Sequence, residues 1–113
     1  MTEYGVFYSP AALDDLQAIY VYIACDLLNQ IAASGREARI RKEIRDLKYF
    51  PLRYEQVNWE PWHSMNVRKL PIDNFVVYYA VDEVSREVTI LRIFYGGQNV
   101  EEIISGHADS PMY

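Results

Sequence analysis

Apolar and polar positions repeat with two different periods along this 113-residue chain, and the change of period divides it into a helical first part and a stranded second part. An aromatic and β-branched run, "YGVFYS", reads as a first short strand closed by turn chemistry. Ser9 and Pro10 then form a helix start: Ser9 has the hydroxyl of a cap, and Pro10 suits the first helical position, where no amide donor is needed. Leu13, Leu16, Ile19, Tyr20, Ile23 and Leu27 follow at steps of three and four, which predicts an amphipathic helix. Asp14, Asp15 and Gln17 fall off that stripe, and the two aspartates lie near the positive end of the helix dipole. After the interruption "NQIAASG", a second helix is predicted through "REARIRKEIRDLKYF", with Ile40, Ile44, Leu47 and Phe50 as its stripe and Pro51 as its stop. Glu37 with Arg41, and Lys42 with Asp46, are opposite charges four residues apart that support it by a few tenths of a kcal/mol each.

The aromatic stretch "LRYEQVNWEPWHS", broken by Pro61, separates these helices from a region of period two. Strands are predicted over about residues 67–70, 75–81 and 88–94, joined by "PIDN" and "DEVSRE". Connections this short make neighbouring strands antiparallel. In the middle strand Phe75, Val77, Tyr79 and Val81 share one face and Val76, Tyr78 and Ala80 the other. Both faces are apolar, so the strand is central and its second face is either covered or open to a partner. "VEEIIS" forms about one helical turn, and "GHADSPMY" reads as a tail. The expected fold class is α+β: an antiparallel β-sheet with an N-terminal helical hairpin packed on one face, in the order β-α-α-β-β-β with a short C-terminal helix. A single domain spans residues 1–105, with a tail at 106–113.

Composition sharpens this picture. Half of the residues are apolar and ten are tyrosines, whose large rings with one polar end suit half-buried surfaces and interfaces. The apolar runs, about seven residues long, are well short of the roughly twenty a bilayer needs. With no basic, apolar leader, the chain is expected to be cytoplasmic and to have no membrane partner. The net charge of −5 opposes indiscriminate nucleic-acid binding, yet residues 36–69 hold nine basic and five acidic residues, a local balance of +4. That basic middle fits either a local anionic partner or a solvated helix face.

Chemistry-bearing motifs are few. His63 and His107 are far apart and have no ligand spacing around them, so no metal is expected, and no cofactor. Cys25, in the run "IYVYIAC", is expected as a buried thiol. Gly96 and Gly97 suffice for a turn but lack the further glycines and lysine of a phosphate loop. Trp59 and Trp62, flanking Pro61, are expected to cap one end of the core in preference to stacking on bases. The set that stands out is Arg68, Lys69, Arg92 and Tyr95. Arg92 lies in the apolar strand "ILRIF" and requires a carboxylate or carbonyl neighbour, or a ligand; pairing within the fold is the preferred reading.

At this point "SPAALDDLQAI", a second helix ending "LKYFP", and "VRKLPIDNFVVYYAVDEVSREVTILRIFYGG" resemble the RelE/ParE family of bacterial type II toxin–antitoxin toxins, over roughly residues 4–104. The resemblance implies a plasmid-stabilisation-type toxin neutralised by a cognate antitoxin, the adjacent gene product, whose C-terminal segment wraps it, with scope for a higher-order toxin–antitoxin assembly. It implies one of two targets: DNA gyrase, poisoned by binding, or the ribosome, where mRNA is cleaved. Fold does not choose between them. RelE-like ribonucleases have arginines at the positions of Val76 and Gln98, and of their lysines only Lys69 has a counterpart. Losing one charged transition-state contact costs roughly 2.7–4 kcal/mol by analogy with oxyanion-hole donors, so the pattern favours the ParE-like, gyrase-inhibiting branch and argues against an enzyme. Tyr78, Tyr95, Gln98 and Asn99 are then the expected target- or partner-binding residues; for a ribonuclease the candidates are Arg68, Lys69, Arg92 and Tyr95. A detoxified member retaining only antitoxin binding is the third alternative.

Overall fold

The computed structural model describes residues 3–26 and 30–105. Strand β1 (Gly5–Tyr8) leads into helix α1 (Pro10–Val21), which ends in a π-helical turn at Tyr22–Asp26. Helix α2 (Gln30–Arg45) follows, then two short 3-10 turns, Asp46–Lys48 and Pro51–Arg53. Strands β2 (Val67–Ile72), β3 (Phe75–Asp82) and β4 (Glu87–Tyr95) precede the short helix α3 (Val100–Ser105). Leu27 and the expected tail at 106–113, with His107, lie outside the described residues.

The strands form one sheet in the order β1-β4-β3-β2. The three later strands make the expected antiparallel meander, while β1 joins β4 in parallel, so the sheet is mixed. The parallel pairing follows from the crossover: the helical hairpin carries the chain over one face from the β1 edge to the β2 edge. Pro71 is tolerated because β2 is an edge strand, whose outer side needs no amide donor.

Helix α1 starts as its sequence directs. The Ser9 hydroxyl accepts from the Ala12 amide at 3.0 Å and donates to the Leu91 carbonyl at 2.9 Å, so the cap also fastens the helix to β4. The buried stripe is rotated from the expected one: Ala12, Leu16 and Ile23 are buried, whereas Leu13 is exposed. Helix α2 runs straight through "QIAASG", and Ala33, Ile40 and Ile44 line its buried face, with Leu47 buried on the following turn. Phe50 does not extend that stripe; the helix gives way to 3-10 geometry before it, and its ring is exposed. Cys25 is also exposed: on the π-helical turn, Ile23 takes the inward position instead.

Two cores flank the sheet. The helices cover Phe75, Val77, Tyr79 and Val81 of β3, as the alternation predicts. The opposite face, whose cover the sequence left open, is closed by the chain itself: Val57, Trp62 and Val100 pack on Val67, Tyr78 and Phe94, with Trp59, Ile103 and Ile104 against them. Trp62 stacks on Trp59 at 5.1 Å and tilts onto Tyr78 at 5.0 Å, so the tryptophan loop does cap a core.

Candidate functional site

Strand β4 carries one more residue than β3 requires. Tyr79 registers with Ile90 and Tyr78 with Arg92, leaving Leu91 as the bulged residue. Strict alternation would send Ile90, Arg92 and Phe94 to one face. The bulge instead lets Ile90 and Ile93 both face the helices, delivers Phe94 to the second core and frees Arg92 to lean towards the strand's edge.

That edge is open. Strand β1 ends at Tyr8, opposite Ile90, so β4 beyond Ile90 has no strand on that side. Side chains satisfy its backbone instead. Ser9 donates to the Leu91 carbonyl, Asp15 accepts the Ile93 amide at 2.9 Å, and the Gln98 Oε1 accepts the Tyr95 amide at 3.0 Å. Asp15 also receives both Arg92 Nε, at 2.7 Å, and Nη2, at 3.0 Å. The guanidinium lies 4.5 Å from the centre of the Phe94 ring. Hydrogen bonding to Asp15 holds Arg92 above the ordinary arginine pKa, against a smaller opposing effect of burial. Arg92 thus finds the carboxylate it required, on a residue that the helical stripe had placed outside the core-facing set. Asp15 lies three residues after Ala12 and four before Ile19, and that spacing was the available signal.

Between α1 and this edge is a mostly apolar cleft of about 570 Å³, lined by Ala18, Ile19, Tyr22, Phe75, Ile93 and Tyr95, with the Asp15–Arg92 pair in its wall. Gly96 closes the end of β4 against the β2–β3 turn: its amide donates to the Asn74 carbonyl at 2.8 Å, and a Cβ there would meet the same oxygen at 3.1 Å.

The residues singled out from sequence are partly gathered here. Arg92, Tyr95 and Gln98 line the cleft, while Asn99 caps α3 through a hydrogen bond to the Glu102 amide at 3.4 Å. Tyr78, expected at a binding surface, is 7% exposed and belongs to the second core, where burial raises the pKa of its hydroxyl. Lys69, Tyr78 and Arg92 register across three strands, but the two cations take different partners, Glu55 and Asp15. Lys69 reaches Glu55 at 3.8 Å. Arg68 sends Nη1 to the carbonyls of Leu52, at 3.0 Å, and Tyr54, at 2.8 Å. Val76 is half-buried against the second core. Among the described residues, no three of His, Cys, Asp or Glu are grouped to hold a metal ion, and no helix is long and apolar enough to cross a membrane.

Comparison with known proteins agrees with this architecture. The toxin of a chromosomal ParDE toxin–antitoxin system from Pseudomonas aeruginosa superposes with a TM-score of 0.69 at 22% identity, covering 82% of this chain and 96% of the other. A RelBE-type toxin–antitoxin complex from Mycobacterium tuberculosis gives 0.60 at 20% identity, covering 84% and 93%. A doubly substituted Escherichia coli RelE toxin in the free state gives 0.63 at 12% identity, covering 97% and 99%. No curated protein sequence matches. Residues 6–100 match the family described as the ParE toxin of the type II toxin–antitoxin system parDE, and with the mixed sheet and helical hairpin in place, the chain belongs to that family of toxins.

Proposed function

We propose that this toxin acts by binding, not by cutting RNA, with DNA gyrase as its target and a cognate antitoxin as its inhibitor. The observation that supports this most strongly is that the cations singled out as ribonuclease candidates turn to separate partners within the fold. Arg92 is bonded to Asp15 and Arg68 to two backbone carbonyls, while the half-exposed Lys69 faces Glu55 at 3.8 Å. Gln98, at the position where RelE-like enzymes hold an arginine, spends its carbonyl oxygen on the Tyr95 amide. Phosphodiester cleavage requires positive charge converging on one phosphate, together with groups that pass a proton. Inhibition by binding requires only a complementary surface.

The antitoxin reading draws on the complexes among the similar structures and on the cleft beside β4, whose apolar lining suits side-chain anchors of an extended segment. Toxin released from its antitoxin is expected to inhibit supercoiling by purified gyrase and to leave mRNA on programmed ribosomes intact. Codon-positioned cuts that disappear in Lys69→Ala or Tyr95→Phe would move the protein to the ribonuclease branch.

A further inference from the structure

The chain between α2 and the tryptophan loop, "KYFPLRY" at residues 48–54, combines exposed apolar groups with a tightly held backbone. Tyr49 is 42% exposed, Phe50 52% and Leu52 37%, although the sequence pattern had assigned Phe50 to the core. A segment that exposes such residues through looseness would leave its carbonyls to water. Here the opposite holds. The Tyr79 hydroxyl, from the middle of the sheet, donates to the Pro51 carbonyl at 2.6 Å. Arg68 holds the carbonyls of Leu52 and Tyr54, and the Tyr4 amide donates to that of Lys48 at 2.9 Å. Buried and half-buried side chains therefore fix the backbone while the apolar side chains point away from the core. Rigid presentation lowers the entropy lost on association, which is how a few anchors come to dominate an interface.

The electrostatics define the partner. Arg45, Lys48 and Arg53 have no carboxylate partner among the described residues, and they lie within the stretch whose local balance is +4. Lys48 sits 5.1 Å from the Tyr49 ring centre and Arg53 4.9 Å from that of Tyr54. These cations already cover faces on which nucleic-acid bases would stack, and the overall charge of −5 repels a long polyanion. What remains open is apolar, Phe50 and Leu52, between positive flanks. A protein surface with an apolar pocket bordered by carboxylates is complementary to it.

Position separates this ridge from the cleft. Lys48 is bonded to Tyr4, beside the start of β4, where Gly5 registers with Glu87; the cleft is at the other end of β4, by Tyr95. We propose that the 48–54 ridge is the surface through which the toxin grips its target protein, with Phe50 and Leu52 as apolar anchors for an acid-rimmed pocket and Arg68 and Tyr79 as positioning residues. This rests on the reading that the toxin acts by binding a protein, and leaves the cleft at the opposite end of β4 to the antitoxin.

The test uses full-length toxin purified with its antitoxin and released from it, with gyrase as the probe. Phe50→Ser is expected to weaken gyrase binding and inhibition by about ten-fold or more, while thermal melting and antitoxin affinity stay within about two-fold of the parent. Arg53→Glu is expected to weaken binding further at low salt and to flatten its salt dependence. Undiminished inhibition by Phe50→Ser would overturn the ridge, as would a loss of antitoxin affinity in that variant. Growth arrest on expression separates the two proposals. If the parent arrests growth without binding gyrase, gyrase falls as the target; the ridge then stands if Phe50→Ser abolishes arrest and falls if arrest persists. A parent that neither arrests growth nor binds gyrase overturns both. Retention of the parent on single-stranded RNA, lost in Phe50→Ser, would replace the protein partner with a nucleic acid and refute the inference.

Discussion

Two arginines brace this sheet from different strands, Arg68 from the edge strand β2 and Arg92 from the open edge of β4, and they do so in different ways. Arg92 meets a carboxylate. Its charge is matched by Asp15, and the pair joins α1 to the unpaired edge of β4. Arg68 meets carbonyls in place of a carboxylate and leaves its buried Nε without a partner while it holds the 48–54 backbone in place. The first arrangement closes an edge that would otherwise expose amides. The second maintains a segment in the open with its apolar side chains outward. The residue type is the same; what the guanidinium is bonded to decides whether a region is sealed or presented.

The largest effect should come from the sealed edge of β4. Asp15→Ala removes the partner of Arg92 and the acceptor for the Ile93 amide together, and is expected to cost about 3 kcal/mol in denaturant unfolding. Arg92→Ala should cost less, about 2 kcal/mol, because Asp15 keeps the Ile93 amide and the side chains are 31% and 15% exposed. Equal stability of either variant and the parent would mean the edge is closed by some other means.

At the presented segment Arg68→Ala is expected to cost about 1–2 kcal/mol, since the freed carbonyls border solvent and can rehydrate. Its sharper signature is local: amide exchange should accelerate across residues 48–54 and remain slow near Ile93. Matching acceleration at both sites would show that the two regions are one cooperative unit and erase the contrast between them.

Tyr79→Phe should cost about 1 kcal/mol near neutrality, by leaving the Pro51 carbonyl without its donor. Its pH dependence is more informative. Burial pushes the Tyr79 hydroxyl above the ordinary tyrosine pKa of 10.0, with the nearby Arg68 opposing, and burial raises Tyr8 and Tyr78 in the same direction. Below that pKa both folded and unfolded chains are protonated, and the full stability is present. Above it the unfolded chain releases protons that the folded chain retains, so stability falls as pH rises, by up to about 1.4 kcal/mol per pH unit for each such group. Tyr79→Phe should make the alkaline limb shallower, and an unchanged slope would remove Tyr79 from that account.

The smallest effects belong to the helix-surface pairs, Glu37 with Arg41 at 3.5 Å and Lys42 with Asp46 at 3.0 Å. Replacing Glu37 or Lys42 with Ala should change stability by less than about 0.5 kcal/mol, vanishing at high salt. A larger loss in either would show that the pair contributes more than a solvated surface contact does.

Sequence alone determined whatever depended on neighbours along the chain. Ser9 and Pro10 start α1 because capping is local, and the alternation of β3 assigned Tyr79 and Tyr78 to opposite faces because pleating is local. The family resemblance rested on stretches read along the chain, with the order of elements in support, and the need of Arg92 for an internal partner followed from the cost of desolvating a cation. Only the tertiary structure decided the rest. Asp15 became that partner because the packing of α1 on β4 rotated the buried stripe away from Leu13. One bulged residue, Leu91, reversed the alternation of β4 beyond Ile90, a shift that only the register with β3 defines. The second face of the sheet was closed by Trp59 and Trp62, well before Tyr78 in the chain, and by a helix beyond Tyr95. Phe50 left the core because the hydrogen bonds that hold its neighbours' carbonyls come from Arg68 and Tyr79, on strands that a periodic pattern cannot bring into view.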